Sequence, residues 1–532
     1  MSVSTSLVRS ASSTALVFLI IIAPTSTADS QPAGLELLQQ ALEAHGGNAE
    51  FARHGFSVEL QGIYDLTARM QGRTVDRPEP RRIIERISSD PESQTVALDV
   101  DWYNYAHSNQ KFREVRFADG RMLYIDHRNR SASYLPFLQD ENFGQRLRRY
   151  LPSLLLQEAV ERPATLLISN SRKQAIPNVS FETAAGERIE LEFDPQSGLL
   201  TAASTSVDMP VIGDTRIRWA WSGYREADSV LTPTEFSVSL DDRLMKATSL
   251  SISVGPTPAL HSAPDGYQQW PAEDDLPSET ELTSFGQRSA DVDEIAAGVY
   301  MIRNLRPGFH GYFVEYDDFV VAIDAPTYWY ELYQLPPTSG SRGDDLSALG
   351  RKMVRAIESA VPNKPIKHLI LTHHHSDHIG GFSPFVEQGA TIITGRETVR
   401  LLKDRAGVLS SAIQVIDGEY SIDADGNEIR LIPLPPDNPK ANDYLAVYLP
   451  AQKLLITTAF IYSVPEEDFP VRESIELSKY FVDWLDSTAL DVDMHFNVHA
   501  GGRIEAWQLE SIRRLTCDGL SCYGIRNAVG SQ

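Results

Sequence analysis

The chain has 532 residues, of which 42% are hydrophobic, and a formal net charge of -24 at pH 7. This length is enough for two or three domains, and the apolar content is enough for sizeable cores rather than wholesale disorder. The acidic balance argues against a nucleic-acid partner, because general nucleic-acid binding needs a basic surface.

The first residues predict a targeting segment. Arg9 precedes the apolar run ALVFLIIIAP (residues 15–24), and small residues follow at Ser26 and Ala28. This order is typical of a cleaved signal peptide over residues 1–28, whereas a membrane span needs about 20 apolar residues. We therefore expect an exported protein, periplasmic or secreted, without a stable membrane span. An uncleaved N-terminal anchor is the alternative.

Residues 29–254 predict an antiparallel β-rich domain with one or two helices. A helical segment, GLELLQQALEAHGG, precedes alternating segments such as FSVELQGIYDL and REVRFADGRMLYID. A second helical stretch, residues 142–160, contains Pro152 and could bend there. In an exported chain this pattern is similar to half-barrel domains that carry lipids or lipoproteins in the periplasm. A lipid ligand of this domain is therefore one expectation.

A linker and a second domain complete the predicted organisation. Residues 255–289 are rich in proline and acidic residues and lack a clear period, which favours a linker. Over residues 290–532 strands and helices alternate, as in the hairpin GYFVEYDDFVVAIDAP, the helix LSALGRKMVRAIESAV and the buried strand IKHLILT. The fold class predicted for the whole chain is α+β.

The stretch LILTHHHSDHIGG, residues 369–381, predicts a metal site. The short apolar strand LILT ends where the polar run begins, and ligands often collect at the carboxyl ends of strands. His373 and His375 can point to one side of a turning backbone, and Asp377 and His378 follow where a helix could begin. Imidazole nitrogens suit zinc, and a carboxylate adds an oxygen ligand. This clustering favours a metal site over a solvated polar loop.

Several segments resemble the metallo-β-lactamase superfamily. THHHSDHIGG resembles its motif T-H-x-H-x-D-H-x-G-G, GYFVEYDDFVVAIDAP resembles an opening hairpin, and FNVHAGG resembles the segment of the last metal histidine. The resemblance covers residues 291–514. It implies an αββα sandwich, two packed sheets with helices outside, and one or two zinc ions that activate water. The metal ligands that it implies are His373, His375, Asp377, His378 and His499.

Two positions depart from the family pattern. Alignment on YLAVYLP puts Lys440 where the third histidine of the first metal is expected, and Ala459 where many members have a bridging aspartate or cysteine. The first metal site then keeps only His373 and His375. We therefore expect one zinc ion rather than two, held by the remaining three ligands.

The expected catalytic residues are Asp377 and Lys440. Asp377 would orient the attacking water or accept its proton. The Lys440 ammonium could replace the missing metal by polarising a carbonyl or pairing with a substrate anion, or it could be an exposed loop lysine. Asp324 closes an opening strand and could orient a ligand histidine. Asp437 or Asp443 could supply an oxygen ligand to the first metal instead, and His310 could be a polar residue that faces the metal or an ordinary surface histidine.

The two cysteines, Cys517 and Cys522, flank an Asp-Gly pair that favours a turn. In an exported protein they could close a disulfide. Two free thiols and half of a zinc site are the alternatives.

The resemblance implies a metal-dependent hydrolase that cleaves an ester, lactone, thioester or amide of a small-molecule substrate. Lys440 and Ala459 favour a different hypothesis, a catalytically decayed scaffold that binds a lipid or a partner. A redox or sulfur-metabolising enzyme with iron is a third, although that chemistry usually needs the full ligand set. One fold hosts many functions, so the sequence leaves these hypotheses open.

Overall fold

A computed structural model describes most of the chain between the two termini. The described residues are 30–47, 49–103, 109–117, 122–127, 131–134, 149–169, 178–183, 186–209, 211–227, 230–255, 262, 264–269, 290–306, 309–327, 347–404, 406–464, 469–471, 474–518 and 521–523. The expected signal peptide, residues 1–28, lies outside them. None of the helices within these ranges is long and apolar enough to cross a bilayer.

The N-terminal region is built on a 14-stranded sheet, antiparallel except where β16 joins β6. Strands β12 and β13 form a separate pair. In chain order the strands are β1 (Phe56–Asp65), β2 (Pro80–Asp90), β3 (Thr95–Tyr103), β4 (Asn109–Arg116), β5 (Met122–Asp126), β6 (Ser131–Tyr134), β7 (Leu167–Ser169), β8 (Asn178–Glu182), β9 (Arg188–Phe193), β10 (Leu200–Met209), β11 (Gly213–Ser222), β12 (Arg225–Ala227), β13 (Val230–Thr232), β14 (Glu235–Leu240), β15 (Arg243–Val254) and β16 (Gln268–Gln269). The predicted antiparallel β-rich domain is confirmed.

Helices pack on the apolar face of this sheet. The described helices of this region are α1 (Ser30–Ala44), α2 (Ala49–His54) and α3 (Pro152–Val160). In β1 the alternate residues Phe56, Val58 and Leu60 are buried, and they share one core with Leu38 of α1 and Leu156 of α3. Period-two burial of this kind is typical of a strand with one face on a core. Burying a side chain of this size stabilises the fold by about 1.5–3 kcal/mol.

The helical stretch is interrupted just before Pro152, because Arg149 and Tyr150 are helical, Leu151 is not, and a new helix begins at Pro152. Leu151 before it is extended, with φ -115° and ψ 106°, and Pro152 occupies the first turn of α3. Proline suits that position because the first amides of a helix have no partner within the helix. The residues immediately before Arg149 lie outside the described ranges.

Two sheets form the C-terminal region. The first has seven strands, β17 (Val292–Ala296), β18 (Val299–Arg306), β19 (Phe309–Glu315), β20 (Val320–Ile323), β21 (Ile366–Leu371), β22 (Thr391–Thr394) and β23 (Ile413–Val415). The second has six strands, β24 (Tyr420–Ala424), β25 (Asn427–Pro433), β26 (Leu445–Leu449), β27 (Leu454–Ile456), β28 (Met494–Phe496) and β29 (Arg503–Ile504). The described helices here are α4 (Ala348–Ala360), α5 (Ser376–Ile379), α6 (Ser383–Glu387), α7 (Arg396–Asp404), α8 (Ile475–Ser487) and α9 (Ala506–Arg513).

Three apolar layers hold these elements together. Between the sheets, Val321 and Ile370 of the first share a cluster with Val447 and Ile456 of the second. The outer face of the first sheet packs with α4 and α6, and that of the second with α8 and α9. This is the expected αββα sandwich, which is confirmed.

Two smaller expectations concern the linker and the cysteines. Most residues of the expected linker lie outside the described ranges, although Gln268 and Gln269 within it form β16; the domain boundaries stay a prediction. Cys517 lies on β30 (Thr516–Asp518), opposite Cys522 on β31 (Ser521–Tyr523). Cys517 is disulfide-bonded, as one of the three alternatives proposed.

Candidate metal centre

The histidine motif lies at the carboxyl end of β21, where the two sheets meet. Its residues His373, His375, Asp377 and His378 are at most 1% exposed, and the last two belong to the short helix α5. The glycine pair after α5 allows this packing, because a Cβ on Gly381 would lie 2.4 Å from the carbonyl oxygen of Pro326. A larger residue there would push the motif away from the end of β20.

The structure brings together ligand atoms of Asp377, His378 and His499. These atoms all lie within 4.8 Å of one another, and Oδ2 of Asp377 lies 3.5 Å from Nε2 of His378. The rings of His373 and His378 are 4.2 Å apart between centroids. The Nε2 atoms of these two histidines are buried and have no hydrogen-bond partner among the described residues. Buried polar atoms are normally paired, so their convergence fits a bound cation.

Asp324 fixes the direction of the His378 ring. Its Oδ2 lies 2.9 Å from Nδ1 of His378, while Oδ1 accepts the backbone N–H of Thr372 at 2.8 Å. An ionised carboxylate can only accept, so Nδ1 carries the proton and Nε2 keeps its lone pair for a metal. The geometry therefore agrees with the orienting role suggested for Asp324.

His310 holds the segment that carries His499. Its ring Nε2 contacts the carbonyl oxygen of Ala500 at 2.7 Å, and its backbone N–H donates to the Val498 carbonyl at 2.7 Å. The ring is buried and supports the turn around His499.

Lys440 is buried at the site, with 2% of its surface exposed, so the exposed-lysine alternative is wrong. Asn438 makes this burial possible, since its side chain bonds the backbone N–H groups of Lys440 and Ala441 and the Pro435 carbonyl. Burial lowers the pKa of Lys440 to about 8, against the opposing charge of Asp377.

The electrostatics keep the ligand groups in the forms that bind metals. Burial, and then the charges around them, hold the pKa of His373 and of His375 well below the usual value, which favours neutral imidazole. Burial alone would raise the pKa of Asp377. Electrostatic interactions with His378, Lys440 and His499, and the hydrogen bond from Gln71, outweigh burial and lower this pKa to about 2.

Ala459, Asp443 and Asp437 add no ligand to the first metal site, where Asp324 is the carboxylate whose ligand atom lies within 4.8 Å of those of His373 and His378. Ala459 is fully buried, and its backbone N–H donates to the Tyr444 hydroxyl at 3.1 Å. Asp443 accepts the backbone N–H of Thr398 at 2.9 Å, and Asp437 is exposed. Among the described residues, neither aspartate belongs to a group of ligand atoms close enough to hold one ion.

Sequence reasoning missed a contribution from the N-terminal region. Residues 66–79, which we call the strap, connect β1 to β2 and reach the motif. The Gln71 amide donates to Asp377 Oδ1 at 3.1 Å, and the Gly72 carbonyl accepts from Nε2 of His375 at 3.1 Å. The available signal was the length of this connection, since long loops in compact domains are often functional.

The expected ligands and Lys440 thus gather in one buried region. Their roles as ligands and catalytic groups stay predictions.

Comparisons with known proteins match the C-terminal region to one superfamily. Residues 312–508 match the model of the Metallo-beta-lactamase superfamily. The 2,4-dinitroanisole O-demethylase subunit alpha of Nocardioides sp. (strain JS1661) is 24% identical over 198 residues, which are 37% of this chain and 52% of that protein. The chain therefore spans about half the length of this curated relative.

Two solved structures illustrate the likeness of the C-terminal region. A metallo-beta-lactamase from Pontibacter korlensis is 17% identical, with a TM-score of 0.31, over 42% of this chain and 96% of its own. The flavodiiron protein from Giardia intestinalis is 16% identical, with a TM-score of 0.32, over 43% of this chain and 59% of its own.

Proposed function

Because residues 312–508 form a metallo-β-lactamase superfamily domain, we propose that the protein is a metal-dependent hydrolase of an ester, lactone, thioester or amide. One observation carries this proposal. The buried ligand atoms of Asp377, His378 and His499 converge within 4.8 Å, and Asp324 aims His378 at the same point. Such an arrangement costs free energy unless a cation occupies it.

We infer one tightly bound zinc ion, held by Asp377, His378 and His499. Three protein ligands leave an open position, as is usual for a catalytic zinc. When bound, zinc would supply Lewis acidity and a water molecule that ionises near neutral pH. The two imidazoles of His373 and His375 alone are too few to hold a second zinc ion, which usually has three or four protein ligands.

The chain's own residues would orient and stabilise the reacting groups. Asp377 is ionised, and Gln71 holds one of its oxygens, so the other can orient water or accept its proton. The buried Lys440 ammonium would stabilise negative charge that develops on a substrate carbonyl oxygen. It stands where the family pattern has a metal ligand, so it would oppose a second cation at short range.

Export is part of the proposal. The N-terminal sequence supports it through Arg9 and the apolar run of residues 15–24. The disulfide at Cys517 supports it independently, because disulfides persist mainly in oxidising compartments. A lipid ligand of the N-terminal region stays a prediction.

The second candidate is a binding protein on a decayed enzyme scaffold. It is favoured by the near-complete burial of the site, where His373, His375 and His378 have no exposed surface. A substrate must reach this region, whereas a structural site needs no access.

Metal analysis with a substrate panel separates the two candidates. The full chain is loaded with zinc, its metal content is measured, and esters, lactones, thioesters and amides are assayed. An aryl methyl ether joins the panel because of the name of the curated relative. We expect about one equivalent of zinc, and we expect Asp377→Asn to lose at least about 100-fold in turnover.

His368→Gln is the matched control, since His368 lies on β21 but outside the cluster. It should keep both metal and turnover. Metal well below one equivalent, together with no turnover of any substrate, would support the binding protein instead.

A further inference from the structure

We propose that the strap, residues 66–79 of the N-terminal region, contributes positioning residues to the metal centre. It positions Asp377, a ligand of the proposed zinc ion, and sets the tautomer of the neighbouring His375. This inference rests on the proposed metal site but concerns residues outside the metallo-β-lactamase domain. It makes Gln71 and Gly72 positioning residues.

The strap has a fixed internal structure. Asp65 Oδ1 accepts the backbone N–H of Thr67 at 3.0 Å and that of Glu79 at 2.7 Å, which closes the loop at its base. The Thr67 hydroxyl donates to the Arg77 carbonyl at 2.7 Å, and the Arg73 N–H donates to Glu79 Oε2 at 2.6 Å. Together with the short 3-10 helix Thr67–Arg69, these side-chain bonds hold the loop in one shape.

The strap is also anchored on the C-terminal region. Met70 is 3% exposed and belongs to the core on the outer face of the first C-terminal sheet. The Asn442 N–H donates to the Arg73 carbonyl at 2.9 Å, and the Val75 N–H donates to Glu397 at 3.0 Å. These contacts lie on both sides of Gln71, so its position over the motif is fixed.

The contact with Gln71 gives the two carboxylate oxygens of Asp377 different environments. Its Nε2 donates to Oδ1 at 3.1 Å, while Oδ2 is the oxygen that lies 3.5 Å from Nε2 of His378. The carboxylate is therefore held by one oxygen and presents the other to the cluster. A neutral amide can do this without adding charge to a site that already contains Lys440.

Gly72 sets the tautomer of His375. A carbonyl oxygen only accepts, so the ring nitrogen that contacts it, Nε2, must carry the proton. The lone pair of His375 is then on Nδ1, the other nitrogen. The same carbonyl accepts from Nε2 of His374 at 2.8 Å.

Residue 72 must be glycine for this carbonyl to keep its place. A Cβ there would lie 2.2 Å from Oγ1 of Thr67 and 2.9 Å from its Cα, so a side chain would displace the strap. A loop that merely covered the site would not need polar contacts to two candidate ligands, nor a glycine to maintain one of them.

The test compares metal affinity of full-length variants. Gln71→Met keeps the side-chain volume but removes the amide, and we expect zinc affinity, measured by competition with a chelator, to fall about 10–100-fold. The visible spectrum of the cobalt-substituted protein should shift, because the Asp377 carboxylate turns. Gln71→Asn, which keeps an amide on a shorter side chain, should weaken binding less.

Asp76→Asn is the matched control. It removes the 2.6 Å ion pair between Asp76 and Arg400 at the same interface but contacts no candidate ligand. It should leave zinc affinity and the cobalt spectrum unchanged. The thermal midpoint of each metal-free variant shows whether the fold is intact. If Gln71→Met is unfolded, the zinc affinity and cobalt spectrum of Gln71→Asn are compared with those of the wild type instead.

Each outcome points to one conclusion. If the wild-type protein binds no metal, the proposed function fails. If the wild type binds zinc and the folded Gln71 variants match it in affinity and cobalt spectrum, the strap has no positioning role and this inference alone is overturned.

Discussion

Buried ionisable groups are arranged differently in the two halves of the molecule. In the N-terminal region, two buried cations each lie beside a carboxylate. Arg149 lies 2.6 Å from Glu187, with 2% and 0% of the side chains exposed, and Lys246 lies 2.6 Å from Glu85. In the C-terminal region, imidazoles gather around one point together with a buried lysine.

This difference distinguishes buried charges that are paired within the protein from buried groups that are arranged to bind a ligand. A buried charge is costly unless it is paired, and each N-terminal cation meets its partner within the protein. The histidine cluster instead contains Nε2 atoms, those of His373 and His378, that no described residue satisfies. Among the described residues nothing completes the cluster, which agrees with the proposed metal ion. Four experiments test or sharpen this contrast.

The largest expected change is the gain of a second metal. Lys440→His with Ala459→Asp restores the two ligands that the family pattern expects and removes the buried ammonium. We expect bound zinc to rise from about one equivalent toward two. Metal content after dialysis measures the change.

The metal-free double variant should be less stable than the wild type, because it buries a new carboxylate without a partner at position 459. Zinc should restore that stability. A wild-type protein that already holds two equivalents would contradict the idea of an incomplete first site.

The next change breaks an N-terminal pair. Arg149→Met leaves Glu187 buried without its cation, and we expect the unfolding free energy to fall by about 3–5 kcal/mol. Zinc content should stay near the wild-type value, since the pair does not touch the metal centre. Urea unfolding measures the loss.

Arg149→Met with Glu187→Leu is the matched control. It replaces the whole pair by apolar groups and should cost less than the single change. If Arg149→Met is as stable as the wild type, the ion pair between Arg149 and Glu187 does not stabilise the N-terminal region.

The sequence predicted the parts of the site that are local. His373 to His378 follow an apolar strand within a few residues, so the end of β21 and the start of α5 fix their relative directions. Strand alternation likewise predicted the antiparallel N-terminal sheet, whereas the two packed sheets of the C-terminal region were implied by the family resemblance. His499 was found only through the family resemblance.

Contacts between distant segments could not be predicted. Gln71 meets Asp377 only because the two halves of the chain dock, and the composition of a turn-rich loop does not reveal its docking surface. The burial of Lys440 depends on Asn438, whose side chain accepts the backbone N–H of Lys440 and donates to the Ala441 carbonyl. The sequence of this loop is polar and would suggest an exposed segment. Both features follow from tertiary hydrogen bonds without a sequence period.

Asp324 offers a smaller test within the cluster. Asp324→Asn keeps the shape and suits the positive φ of 54° at this position, but it weakens the bond to Nδ1 of His378. We expect zinc affinity to fall about 10–100-fold, measured by chelator competition. Asp425→Asn is the control, because Asp425 also has a positive φ, of 56°, but lies in an exposed turn. Equal affinities for wild type and Asp324→Asn would remove Asp324 from the metal centre.

The smallest expected effect concerns His45, a buried histidine of the N-terminal region. Its Nε2 accepts the Leu200 N–H at 3.1 Å, and burial lowers its pKa to about 4. As the pH falls, His45 is therefore protonated in the unfolded chain before it is protonated in the folded protein. Neutral His45 makes its full contribution to the unfolding free energy above the pKa of the unfolded state, and this contribution declines as the pH falls toward 4. Between about pH 7 and 5.5 the wild type should lose about 1 kcal/mol more unfolding free energy than His45→Gln, which cannot titrate. Parallel pH profiles of the two proteins in urea unfolding would show that protonation of His45 does not weaken the fold.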